Sequence, residues 1–286
     1  MAIYDQSYAP WTGTYSSRLS RIRAMIAMEL AQPFKNLWVL IIVLFSFSIV
    51  GSWLLLLFFA TSSQVIPPFA LGNRIYREGF YNYPLFSMIL MVLSATVGAS
   101  LIARDVRHHA LLMYFSRSIT RADYLVGKFL SLVLFLMIVT LGPGLLLFLG
   151  QLGMGQERLS TGERLSDLVA ITLHSLILSV PMSAVVLAFS SLTKRTYLAA
   201  ILWVIFYFIS ASLSPTLTFA LKAEWPKMLS WPNLTAHLGD LCYSPRVPSP
   251  PLLDCGAWPP LLILGSLTIL SLALVWRRLR STEGEE

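Results

Sequence analysis

An all-α integral membrane protein, with six transmembrane helices preceded by a basic amphipathic interfacial helix, is the fold class this sequence predicts. Three observations carry the prediction. Charged residues make up only 12% of the 286, about half the roughly 25% usual in a soluble domain, and the mean hydropathy is +0.69. A chain so poor in polar surface cannot cover a water-soluble core of its own size, which excludes a soluble enzyme. The charges are also segregated. The stretches 36–73, 79–103, 129–156, 168–193, 196–221 and 255–276 contain no Asp, Glu, Lys or Arg, and each reaches the about 20 helical residues that cross a bilayer core of roughly 30 Å. Within them the apolar runs are continuous, as in Leu54-Leu55-Leu56-Leu57-Phe58-Phe59, rather than alternating, which argues against a closed β-barrel.

Taken in chain order, residues 1–36 form a cytoplasmic N-terminal segment. Between Ser16 and Gln32, Leu19, Ile22, Ile26 and Leu30 recur three and four apart, with Arg18, Arg21 and Arg23 off that stripe. This pattern predicts an amphipathic helix, broken by Pro33. Such a helix either lies in the membrane interface or packs on the inner ends of the bundle; the basic flank favours the interface. Thirty-six mostly polar residues before a long apolar run do not resemble a cleavable signal peptide. The transmembrane domain covers 37–276, with spans near 37–60, 85–103, 129–150, 168–192, 197–218 and 258–276. The second carries a small-residue face, Ser94 and Gly98 beside Ala95 and Ala99, that permits close helix approach. Gly142-Pro143-Gly144 and Pro181 put weak points in the third and fourth. His174 in the fourth is the ionisable side chain of note within the spans, and a hydrogen-bonded neutral histidine is its commoner role. Residues 277–286 form a cytoplasmic tail.

Orientation follows from the retention of Lys and Arg on the cytoplasmic side. With the N-terminus inside, the inner segments hold 14 of the 21 basic residues, among them Arg104, Lys128, Lys194, Arg195 and Arg277. The outer segments hold seven, offset by seven acids, so the inner face carries the whole net charge of +7. Both termini are therefore assigned to the cytoplasm. Basic residues scattered between apolar runs form no nucleic-acid surface, and no such partner is expected. The outer loop 219–257 holds the only two cysteines, Cys242 and Cys255; a bridge between them and two free thiols both fit the spacing. Trp225 and Trp231 in that loop are placed at headgroup level.

Chemistry is sparse. Leu125-Val126-Gly127-Lys128 lacks the first glycine and the following hydroxyl of a phosphate-binding loop, and neither a Gly-x-Ser-x-Gly nor a His-Glu-x-x-His occurs. No catalytic, cofactor-binding or metal-binding residues are assigned; adjacent His108 and His109 point about 100° apart on a helix and make a poor chelate. No carboxylate stands within a span to serve a proton- or sodium-driven carrier, so energy for transport would have to come from a partner. The inner loop 104–128 is where a partner can act. Its run Leu111-Leu112-Met113-Tyr114-Phe115 is apolar in a cytoplasmic loop, as a docking surface would be, unless it folds back into the headgroup region. Thr120 and Asp123 approximate a capping box at its end.

The pattern Ile102-Ala103-Arg104-Asp105-x-Arg107-x-x-Ala110-x-x-x-Tyr114-Phe115-Ser116-Arg117-x-x-x-Arg121-x-x-Tyr124-x-x-Gly127-Lys128 resembles the loop between the second and third spans of type-2 ABC transporter permeases. The outline of the chain, from basic N-terminal helix to the longer outer loop before span six, is similar to that family as well. The resemblance implies an exporter subunit whose loop is a coupling helix seated on a separate ABC ATPase. Carried over, the partner contacts are Arg104, Asp105, Arg107, Leu111, Leu112, Tyr114, Phe115, Arg117 and Arg121. It also implies a second permease subunit, in a homo- or heterodimer, a surround of membrane lipid, and ATP and Mg bound by the ATPase rather than here. The location expected is the cell inner membrane, multi-pass. One departure is the second inner loop, Thr193-Lys194-Arg195-Thr196-Tyr197, which is very short. A membrane anchor or scaffold without transport would share the spans and the docking loop but have no pathway between subunits.

Overall fold

The computed structural model describes residues 17–62, 76, 80–115, 119–153, 161–243, 253 and 255–281, with the side chains of 60–62, 111, 112, 115, 161 and 281 left undescribed. Every regular element among the described residues is helical. Helix α1 (Arg18–Ala31) is capped by the Ser17 hydroxyl and followed by a 3-10 turn at Pro33–Lys35. The missing amide and fixed φ of Pro33 end α1 where the sequence places the break. Asn36 then turns the chain into α2 (Leu37–Ser62), its side chain accepting from the Trp38 amide at 3.0 Å.

Helix α3 (Pro84–Arg107) follows, then the short α4 (Ala110–Phe115) and the long α5 (Arg121–Gly153) and α6 (Thr161–Leu192). Helix α7 (Thr196–Leu221), a 3-10 turn at Trp225–Leu229, α8 (Trp231–Leu241) and α9 (Trp258–Ser281) complete the order. Six helices, α2, α3, α5, α6, α7 and α9, are long and apolar enough to cross a membrane. Helix α5 begins well before residue 129, because Asp123 caps it and Lys128 is neutralised inside the bundle (below). Pro143, Pro181 and Pro215 all sit inside helices that continue through them.

The layering is read from which helices are buried. Helix α6 is the central post, packed on α3, α5 and α9, while α7 covers α3, and α2 covers α5 and α3. The three inner helices α3, α5 and α6 are largely buried, whereas α2, α7 and α9 keep wide apolar faces outward, such as Leu55 and Phe59, Ile201 and Ile205, Ile269 and Leu270. Faces of that kind are what a bilayer covers. The small-residue face of α3 is consumed inside the subunit. Ser94, Ala95 and Ala99 are buried, and a Cβ on Gly98 would run into Val186 of α6 and Leu132 of α5.

The segment 219–257 corrects the expectation of a loop lying on the leaflet. It contains α8, and Trp231 is 3% exposed, packed edge-on against Trp203 at 5.6 Å. Trp203 is itself held by Ser94 Oγ, which accepts from its indole N–H at 3.0 Å. An aromatic pair of this geometry adds about 0.5–1.5 kcal/mol beyond the area it buries; Trp225 stays exposed. His174 is fully buried, stacked on Tyr81 at 4.2 Å and pressed against Gly239 of α8, where any side chain would collide with the imidazole. Of the two arrangements the cysteine spacing allows, the structure has the unbridged one. Cys242 and Cys255 are free thiols: Cys242 Sγ donates to Leu238 O on its own helix at 3.4 Å, and the Cys255 segment is held instead through its carbonyl, 3.1 Å from His237 Nε2.

Candidate coupling site

The end of the bundle that carries Arg18, Arg104, Arg121 and Arg277 is here called the basic end. It gathers the termini of α1, α3 and α5 around one cation. Lys128, about two turns into α5, is 0% exposed. Its Nζ lies 2.6 Å from Glu29 Oε1 of α1 and 2.7 Å from Asp105 Oδ2 of α3. Tyr124 of α5 donates its phenol to the same Asp105 oxygen at 2.8 Å, and its ring lies 5.5 Å from the ammonium. Arg104 stands 4.0 Å from Glu29 Oε2 and donates to Gln32 Oε1 at 2.8 Å. Two carboxylates are thus met by one buried and one half-exposed cation. The pairing matters because an ion out of water costs several kcal/mol unless its partner and its hydrogen bonds are both in place.

A second contact locks α1 to the start of α5. Arg18 Nε donates to Asp123 Oδ1 at 2.7 Å. Asp123 Oδ2 also accepts from the Thr120 amide at 3.3 Å, while Thr120 Oγ1 accepts from the Asp123 amide at 3.2 Å. This is the reciprocal capping box the sequence predicts. Between the two ionic contacts, Met25 fills the space over Gly127, where a Cβ would stand 2.8 Å from its Cε. The face of α1 turned to the bundle is therefore Arg18, Ile22, Met25, Glu29 and Gln32. The apolar stripe read from the sequence meets that face only in part: Ile22, Ile26 and Leu30 are half-buried and Leu30 packs on the core, while Leu19 is 66% exposed. Ion pairs to Asp123 and Lys128 set the rotation that an apolar stripe alone would have set otherwise.

The predicted partner-contact residues divide accordingly. Asp105 is not available to a partner; it is buried and spent on Lys128 and Tyr124. Arg104 is half turned inward. Arg107 is exposed and faces the α6–α7 turn, lining a cavity with Lys194, Arg195 and Tyr197. After Arg107 the chain reverses through His109, whose φ of 53° is left-handed, a conformation histidine adopts more readily than most residues. Helix α4 then starts at Ala110. Met113 is 67% exposed on it, whereas Tyr114 is half-buried, its ring 5.4 Å from that of Tyr124. Burial pushes the Tyr114 phenol above its ordinary pKa. Arg121 opens α5. The side chains of Leu111, Leu112 and Phe115, and the whole of Arg117, lie outside the described residues.

Sequence reasoning missed Glu29, Lys128 and Tyr124. Lys128 and Tyr124 stood in the pattern that carries the family resemblance but were given no role, and Glu29 was the single acid of α1. The available signal was an acid on an otherwise basic helix and a lysine followed immediately by a span.

A family model described as ABC-2 family transporter protein matches residues 16–228, from the start of α1 to the turn before α8. The chain belongs to the ABC-2 transporter family. It is a multi-pass membrane permease of an ABC transporter, and membership implies an ATPase partner. Members of this family are membrane components, generally not catalytic themselves. Comparison with curated proteins finds no match.

Proposed function

We propose that this ABC-2 permease is the membrane subunit of an exporter driven by a separate ATPase, and that α4 with the Lys128 cluster behind it is where the drive enters. The observation that carries the reading is the construction of the basic end. Helix α4 presents Met113 outward and rests its Tyr114 ring near Tyr124. Tyr124 is hydrogen-bonded to Asp105, and Asp105 through Lys128 to Glu29. A push on α4 therefore meets α3, α5 and α1 together. Charged contacts buried at one place favour motion of those helices as a unit, because separating the charges costs more than moving them jointly.

In this reading the basic end faces the cytoplasm of an inner membrane, as the excess of Lys and Arg supports. ATP and Mg are bound by the partner, and hydrolysis occurs there. Two copies of the permease, identical or related, enclose the pathway. The test is Met113→Asp, an exposed substitution that leaves the subunit's interior untouched. Purified with its ATPase in lipid nanodiscs, the variant should bind the ATPase at least about tenfold more weakly, since a desolvated unpaired charge costs more than 1.4 kcal/mol. A variant that inserts normally and holds a fully regulated ATPase would favour the scaffold reading instead.

A further inference from the structure

The short connection between α6 and α7 builds a cationic cavity of which the coupling reading uses only Arg107, one of the expected partner contacts. Its volume is about 460 Å³, and it is lined by Arg107, Lys194, Arg195 and Tyr197. Three of these residues are cations, and no carboxylate stands among the described lining residues. The turn is a formed structure: Thr193 Oγ1 donates to Arg195 O at 3.1 Å, and Arg195 Nη1 donates to the Tyr197 phenol oxygen at 2.8 Å. Arg195 is also the N-cap of α7 and supplies no side-chain acceptor there. The positive end of this 26-residue helix therefore lies beside the cavity without a side-chain cap.

We propose that this cavity binds the phosphodiester headgroup of an anionic phospholipid. The position selects a lipid over a protein partner. Only three residues, 193–195, separate α6 from α7, so the cations stay at the helix ends instead of projecting beyond them. Directly along α7 from the cavity, Tyr197, Leu198, Ile201, Leu202 and Ile205 are exposed, an apolar track for acyl chains with an interfacial tyrosine at its head. Basic pockets between spanning helices at the membrane surface have the chemistry to hold acidic headgroups. The proposal rests on membership in a membrane family and on this geometry, and it is independent of whether α4 docks an ATPase.

Native mass spectrometry of the detergent-purified permease, titrated with phosphatidylglycerol or phosphatidylcholine, tests it. The first phosphatidylglycerol should bind on the order of tenfold more tightly than phosphatidylcholine. That preference should vanish in the triple variant Arg107→Gln, Lys194→Gln, Arg195→Gln. It should survive in a control that removes three other exposed cations of the basic end, Arg23→Gln, Arg277→Gln and Arg280→Gln. Equal affinity for the two lipids, or equal loss in both triple variants, would overturn the site. So would full displacement by millimolar inorganic phosphate, which would make the ligand a free anion, or a triple variant that loses only its ATPase partner while keeping lipid selectivity.

Discussion

Lys128 is the residue on which the basic end turns, because it is fully buried and yet paired with two carboxylates. Replacing it with methionine fills the volume but leaves Glu29 and Asp105 buried without their cation, at a cost of about 3–5 kcal/mol. Unfolding in mixed detergent, followed by helical circular dichroism, should register that loss. The triple variant Lys128→Met, Glu29→Gln, Asp105→Asn removes every ion at once and should recover most of it, since no unpaired charge remains. A triple variant as unstable as the single one would mean that packing, not charge pairing, holds the cluster. At the other end, burial pushes the Cys242 thiol up to about 11. Its reactive thiolate is therefore scarce at pH 8 and grows only as the pH approaches 11. Titration of denatured, unreduced protein should find two free thiols, and in the native protein Cys242 should alkylate slowly until the pH is raised. None of this was legible in the sequence: the spacing of Cys242 and Cys255 allowed a bridge, and a lysine at the edge of an apolar run reads as a flank until the helix bearing its acid is seen to lie across it.

Among the elements, α1 is the one whose placement the sequence half revealed. Its existence, its basic character and its end at Pro33 follow from local pattern, but its rotation depends on Asp123 and Lys128, both about a hundred residues away. Docking also needs the bare surface at Gly127, over which Met25 lies. Gly127→Leu should push α1 off α5 and loosen its helix, so that trypsin cleaves after Arg21 and Arg23 several-fold faster than in the unaltered protein. Unchanged cleavage would mean that the two ionic contacts suffice to dock the helix. Helix α8 teaches a similar lesson. Proline and tryptophan at 225–226 and 231–232 read as interfacial loop, yet Trp231 finds Trp203 and Phe206 within the bundle, and a partner of that kind is invisible to local pattern.

For the whole molecule, six spans were legible because the solvent dictates them: uncharged runs of sufficient length have no other stable place. Which side faces the cytoplasm was read from charge alone and has its own test. In a background with Cys242→Ser and Cys255→Ser, Lys194→Cys should label with an impermeant thiol reagent only after permeabilisation, and Lys222→Cys should label in intact cells. The reverse pattern would turn the molecule over and remove α4 from any cytoplasmic partner. The central claim is narrower: the buried cluster transmits what α4 receives. The direct measurement is the ATPase rate of the reconstituted complex carrying Glu29→Gln, which frees α1 from Lys128 without touching α4. Binding of the ATPase should be retained, while most of the permease's effect on its hydrolysis rate is lost. A Glu29→Gln complex whose ATPase is regulated as fully as that of the unaltered protein would contradict the account.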